Sequence, residues 1–112
     1  MVILFTGHRD KTCQVVYLDK IAKKYPNAVW MHGGAIGFDS QVDAFAKEHG
    51  LETFIIRPDY ETHWKKAPLI RNDEMLRRCN AVVALWDGRT TGGTYYTVSK
   101  AQSMEIPVYI IH

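Results

Sequence analysis

Apolar residues in this chain gather in short unbroken runs, and between the runs they recur at helical spacing. The runs are Val2 to Phe5, Ala28 to Met31 and Ala81 to Trp86, together with Phe54, Ile55 and Ile56 in the strand segment Leu51 to Ile56, and Ile106 to Ile111 with Pro107 near its start. Short apolar runs without polar alternation mark strands covered on both faces. Val15, Val16, Leu18, Ile21 and Ala22 predict a helix from about Lys11 to Tyr25, stopped by Pro26-Asn27. Val42, Ala44, Phe45 and Ala46 predict a second over Asp39 to His49, with Gly50 at its left-handed stop. Leu69, Ile70, Met75 and Leu76 predict a third over Ala67 to Arg78, and Thr94 to Met104 reads as a fourth. The stretch Arg57 to Lys66 is polar, aromatic and irregular. Pro107 has no N–H to give an inner ladder, so the last strand belongs at an edge.

Strands that alternate with helices predict an α/β fold with three layers: a mostly parallel five-stranded sheet with helices on both faces. With 112 residues, 1–112 is expected to be a single domain. In such sheets ligands sit beyond the carboxyl ends of the strands. The turns at Gly7, Gly33-Gly34, Arg57-Pro58 and Asp87-Gly88 all fall at that rim.

Composition narrows the partners. A net charge of +2 is too mild for duplex nucleic acid as the main partner. Cys13 and Cys79 have no metal-ligand or CxxC spacing and read as reduced thiols of a cytoplasmic protein. Arg9, Asp10 and Lys11 end the short apolar start, so no signal peptide is expected, and no run is long enough to span a membrane. His8, His32, His49, His63 and His112 form no metal-ligand pattern, so neither a metal nor a cofactor is expected.

Two glycine turns carry the candidate chemistry. His32-Gly33-Gly34-Ala35-Ile36-Gly37-Phe38-Asp39 follows the second run, and Thr90-Thr91-Gly92-Gly93-Thr94 follows the fourth. A glycine turn between a strand and a helix start offers a phosphate unpaired N–H groups and a positive dipole end. Gly7, Gly33, Gly34, Gly37, Gly92, Gly93 and Thr94 are therefore candidate ligand contacts, and Thr94 can also cap its helix. Arg71 offers a planar fork that fits phosphate. Asn72 can meet a base or a turn backbone. His8 and Arg9, just after the first strand, are candidate contacts, and His8 also a general acid. His32 is either a satisfied structural histidine or a contact. Asp39 either caps its helix or accepts from a ribose hydroxyl; Asp87 acts on a sugar or holds a turn with Gly88. Asp39, Asp87 and His8 are thus the candidate catalytic groups. Trp86 either ends its strand in the core or stacks on a base. Tyr60, His63 and Trp64 either cover a base or pack down on the surface.

Thr6-Gly7-His8-Arg9, the glycine-rich segment to Asp39, Arg71-Asn72-Asp73-Glu74-Met75, Trp86-Asp87-Gly88 and Gly92-Gly93-Thr94 occur in a set order. In that order and spacing they resemble the YspA-like, cpYpsA-related branch of the SLOG superfamily, over Val2 to Ile111. The resemblance implies a Rossmann-like fold and a nucleotide or nucleotide-derived ligand. Arg71-x-x-x-Met75 and Gly93-Thr94 are similar to elements of the related LOG phosphoribohydrolases, which cut the N-glycosidic bond of nucleoside monophosphates. Those enzymes place a glutamate three residues after the threonine, where this chain has Thr97. Threonine has no charge with which to stabilise a developing sugar cation.

The expected function is therefore binding, as a sensor or sequestering module. The alternative is hydrolysis of an N-glycosidic or phosphate bond, with Asp39, Asp73, Glu74 or Asp87 in the missing role. The DprA branch of the same superfamily suggests a nucleic-acid module through Lys65, Lys66, Arg71, Arg77 and Arg78, which the mild net charge places third. An apolar helix face on so small a sheet protein leaves room for a homodimer.

Overall fold

The computed structural model describes residues 1–112. The chain runs β1 (Val2–Gly7), α1 (Val15–Lys24), β2 (Val29–His32), α2 (Phe38–Glu48), β3 (Thr53–Ile55) and α3 (Tyr60–His63). After a 3-10 turn at Trp64–Lys66 come α4 (Ala67–Arg78), β4 (Ala81–Leu85), α5 (Gly92–Ser103) and β5 (Val108–Ile111). The sheet has five strands in the order β3-β2-β1-β4-β5, and every pair is parallel. Strand order reverses at β1, so the crevice between the β1 and β4 loops is the switch point at which such sheets hold ligands.

Side-chain alternation along each strand builds a core on either face. Ile3, Phe5, Trp30, Val83 and Leu85 meet Leu18 and Ile21 of α1 and Phe38, Val42 and Phe45 of α2. Leu4, Met31, Val82 and Ala84 face the other way, onto Met75 and Leu76 of α4 and Val98 and Ala101 of α5. Aromatic contact tightens the first core: Phe5 and Trp30 lie 4.3 Å apart by ring centroid, and Phe45 stacks on Trp30 at 5.4 Å. Each such buried ring contributes roughly 1.5–3 kcal/mol of transfer free energy.

The differences from the sequence pattern have local causes. The first helix begins at Val15, not Lys11, because the segment before it is clasped to α2. The Cys13 amide donates to Gln41 Oε1 (2.9 Å), and Gln41 Nε2 donates to the Cys13 carbonyl (2.7 Å). The third strand keeps only Thr53–Ile55, since the Leu51 amide is still bonded to Ala46 at the end of α2 (2.8 Å). The segment expected to be irregular contains one helical turn, capped by the Asp59 carboxylate accepting from the Thr62 amide (3.2 Å). The last helix starts at Gly92, so Thr94 is not its cap but a buried residue of its first turn. The last strand is an edge strand, as Pro107 predicts. No helix is long and apolar enough to cross a membrane.

Candidate functional site

A cleft of about 810 Å³ opens along the carboxyl ends of four neighbouring strands. Thr6 to Asp10 after β1, Gly33 to Ala35 after β2 and Arg57, Pro58 and Tyr60 after β3 form three of its walls. Arg89 and Thr91 to Thr94 after β4 form the fourth, and Pro68, Arg71 and Asn72 of α4 reach in from the side. Gly34, Arg71 and Gly93, far apart in sequence, thus border one space.

The two glycine turns differ in what their amides do. In the first, Asp39 Oδ2 accepts from both Gly33 N–H and Ala35 N–H at 3.2 Å. His32 Nδ1 accepts from Gly34 N–H at 3.0 Å. Three amides that the sequence offers to a phosphate are therefore occupied inside the protein. In the second turn the cap position, Thr91, makes no side-chain capping bond. Gly92, Gly93 and Thr94, as the first residues of α5, have no carbonyl one helical turn back to bond. These three residues border the cleft at the positive end of the α5 dipole.

Arg71 lies one helical turn from Ala67 and one from Met75, on the buried side of α4, near its rim end. Its Nη1 donates to the Gly33 carbonyl and, at 3.4 Å, to the Ile56 carbonyl, and its Nε donates to Asn72 Oδ1 at 2.8 Å. Gly33 has no side chain, and that absence lets the guanidinium lie on it; a Cβ there would overlap Arg71. Burial lowers the Arg71 pKa and Asp39, Tyr60 and Arg9 modulate it, which puts those three groups around the guanidinium.

Asp39 opens α2 as its second residue, where a carboxylate suits the dipole. Burial raises its pKa, opposed by the Ala35 amide, His32, Arg71 and the Gly33 amide. It is the only candidate catalytic carboxylate that borders the cleft. Asp87 turns away into a forked pair with Arg89 (Nη2 to Oδ2, 2.6 Å), which holds its carboxyl far below the usual range. Asp87 does not line the cleft, so the expected catalytic and contact role for it finds no place beside a ligand held there. Burial, followed by the Arg89 cation, lowers the His8 pKa. Neutral His8 accepts from the Asp87 amide through Nε2 at 3.3 Å. The same nitrogen lies 3.2 Å from Asp87 Oδ1. The expected general acid therefore borders the cleft and is held to the loop after β4.

Two further expected contacts lie outside the cleft. His32 is the satisfied structural histidine of the two readings: Nε2 meets Asp43 at 2.9 Å and Nδ1 holds the Gly34 amide. Gly37, at φ +77°, packs against the Arg9 carbonyl and closes the first turn onto the β1 loop. Gly7, His8, Arg9, Gly33, Gly34, Asp39, Arg71, Asn72, Gly92, Gly93 and Thr94 do border the cleft. Trp86 donates its indole N–H to the Arg89 carbonyl at 2.8 Å and stacks on Tyr95, away from the cleft. Trp64 is 76% exposed and also outside it. Sequence reasoning passed over Arg57 and Arg89 as contacts. Arg57 follows a strand at the rim and was legible there, whereas Arg89 arrives through a turn that no spacing announces. Thr97 is fully buried, borders no part of the cleft and has no partner for its hydroxyl.

A profile of the YspA, cpYpsA-related SLOG family matches residues 1–63. The Gene 61 protein of Mycobacterium phage D29 is 34% identical over 116 residues, covering 95% of this chain and 92% of that protein. The X-ray structure of TM1055, a structural-genomics target, superimposes with a TM-score of 0.71 at 19% identity, covering 96% of this chain and 71% of the other. At that identity the likeness is one of fold.

Proposed function

Because this chain belongs to the YspA, cpYpsA-related SLOG family, we propose that it binds a nucleotide or nucleotide-derived small molecule in the rim cleft. Residues 1–112 act as one binding unit, a sensor or a sequestering module. The observation that carries the reading is the uncapped start of α5, whose first residues border the same space as Arg71. Arg9, Arg57 and Arg89 add cationic charge around that space, and Asp10 and Asp39 offset only part of it. Helix amides and guanidinium groups together favour a phosphate group. Asn72 and Thr94 supply neutral partners beside it.

A hydrolase reading draws on Asp39, a buried carboxyl with a raised pKa in a cleft, the usual profile of a general acid or base. Its Oδ2 already holds two amides of the first turn, and position 97 offers no carboxylate. Binding is therefore favoured. The test is a thermal-shift screen of nucleotides and dinucleotides at millimolar concentration, with base and phosphate release followed in parallel. Stabilisation with the ligand recovered intact is expected. Steady product release that Asp39→Asn abolishes would replace binding with hydrolysis, and an absence of both effects would end the reading.

A further inference from the structure

The cleft has two chemically unlike ends. Sheet order places the β4 loop, with the free α5 amides, three strands from the β3 loop. At roughly 4.8 Å per strand spacing this is about 14 Å, the reach of an extended nucleoside phosphate. The β3 end carries no free amide cluster. Beside the Arg57 cation it has Pro58 and Tyr60, and Pro68 of α4 also borders the cleft, so this end offers ring surface that the α5 end lacks. Of the Phe, Tyr and Trp side chains, only Tyr60 borders the space; Trp64, Trp86, Tyr95 and Tyr96 stay outside. Tyr60 is 56% exposed and pairs with no other aromatic ring, so it is accessible from the cleft.

We infer that the β3 end of the cleft is a base-stacking subsite, with Tyr60 as its platform and a purine as the preferred occupant. Ligand polarity is thereby fixed: phosphate at the start of α5, sugar across Gly34 and Asp39, base on Tyr60. A purine offers the larger face for stacking, and π-contact of this kind tolerates sequence but not loss of the ring. The inference rests on the nucleotide-binding reading and deepens it by naming where the base lies.

The test compares AMP, GMP and ribose 5-phosphate by calorimetry on the full chain. The sugar phosphate has the phosphate end of the ligand without its base. AMP or GMP is expected to bind roughly tenfold to a hundredfold more tightly than ribose 5-phosphate. Tyr60→Ala should collapse that ratio to near one and leave ribose 5-phosphate affinity unchanged. Tyr60→Phe should keep the ratio and Tyr60→Leu should lose it, which separates a π-face from mere bulk. A purine advantage that survives Tyr60→Ala and Tyr60→Leu would overturn the subsite while the nucleotide reading stood. Equal affinities for the three probes in the unaltered chain would also overturn it. If none of the three bound at millimolar concentration, both the subsite and the nucleotide reading would fall.

Discussion

Arg71 joins three parts of the chain before any ligand arrives. It ties α4 to the carbonyls of Gly33 and Ile56, so the walls after β2 and β3 hang on one guanidinium. Lysine has no fork with which to reach two carbonyls and Asn72 together. Arg71→Lys is therefore expected to lose ligand affinity and also to destabilise the fold by about 1–3 kcal/mol, read by urea denaturation, as buried carbonyls go unpaired. A variant that lost affinity at unchanged stability would show the arginine to be a ligand contact and nothing more. His8 gives a second prediction at this scale. Its pKa lies below 6.5 in the folded chain, because burial and Arg89 disfavour the imidazolium. On acidification the unfolded chain takes up this proton first, so the stability associated with neutral His8 is present above about pH 6.5 and is lost as pH falls through the lowered value. Asp39 works in the opposite sense, since its raised pKa means that folding favours its protonated form in acid. The difference between the unaltered chain and His8→Gln isolates the histidine: its denaturation midpoint should fall relative to the variant's as pH drops below about 6.5. Parallel curves would show that His8 titrates normally.

At the scale of elements, α5 and the turn before α2 look alike in sequence and behave oppositely. Both are glycine-rich and both follow a strand, which is why sequence alone offered phosphate either one. What separates them is Asp39, the second residue of α2, whose carboxylate folds back onto Gly33 and Ala35, whereas the second residue of α5 is Gly93. Substitution should expose the difference. A Cβ at Gly93 would come no closer than 3.5 Å to Asn72, so Gly93→Ala should leave stability within about 1 kcal/mol and weaken phosphate binding tenfold or more by crowding the amides. At Gly37 the positive φ and the adjoining Arg9 carbonyl make Gly37→Ala destabilising by more than about 1 kcal/mol. Equal stability losses at the two sites would contradict this. Thr97 supplies a second measurement on α5. Its hydroxyl is buried with no partner, so Thr97→Val should raise stability by about 1 kcal/mol, seen as a higher urea midpoint.

For the whole molecule, periodicity was enough to read the sheet. Unbroken apolar runs gave five strands, and Pro107 gave the edge, because those features depend on burial that each segment carries in its own residues. The cleft was legible as a rim for the same reason, since parallel strands send all their carboxyl ends one way. The pairings across the rim were not legible. That Asp87 would be drawn to Arg89, or Asp39 onto the first turn, depends on side-chain competition that no spacing encodes. A bound ligand should be felt by the entire fold: at a hundred times its Kd it adds about 2.7 kcal/mol. For a chain of this length that corresponds to a rise in Tm on the order of 10 °C, measurable by calorimetry.

The Gln41 clasp on Cys13 has a mechanical corollary. Together with the Phe38 amide on the His8 carbonyl, it makes the β1 loop and α2 one stiff jaw. Beyond Ile56, which Arg71 holds, the opposing jaw Arg57 to Lys66 reaches its neighbour wall by one long bond, Arg57 to the Gly34 carbonyl at 3.4 Å. Any grip on a ligand is then one-sided: the anvil stays and the β3 side comes down to meet it. Amide hydrogen exchange would register this as protection gained over residues 57–66 on binding, with the Cys13 and Phe38 amides already protected beforehand.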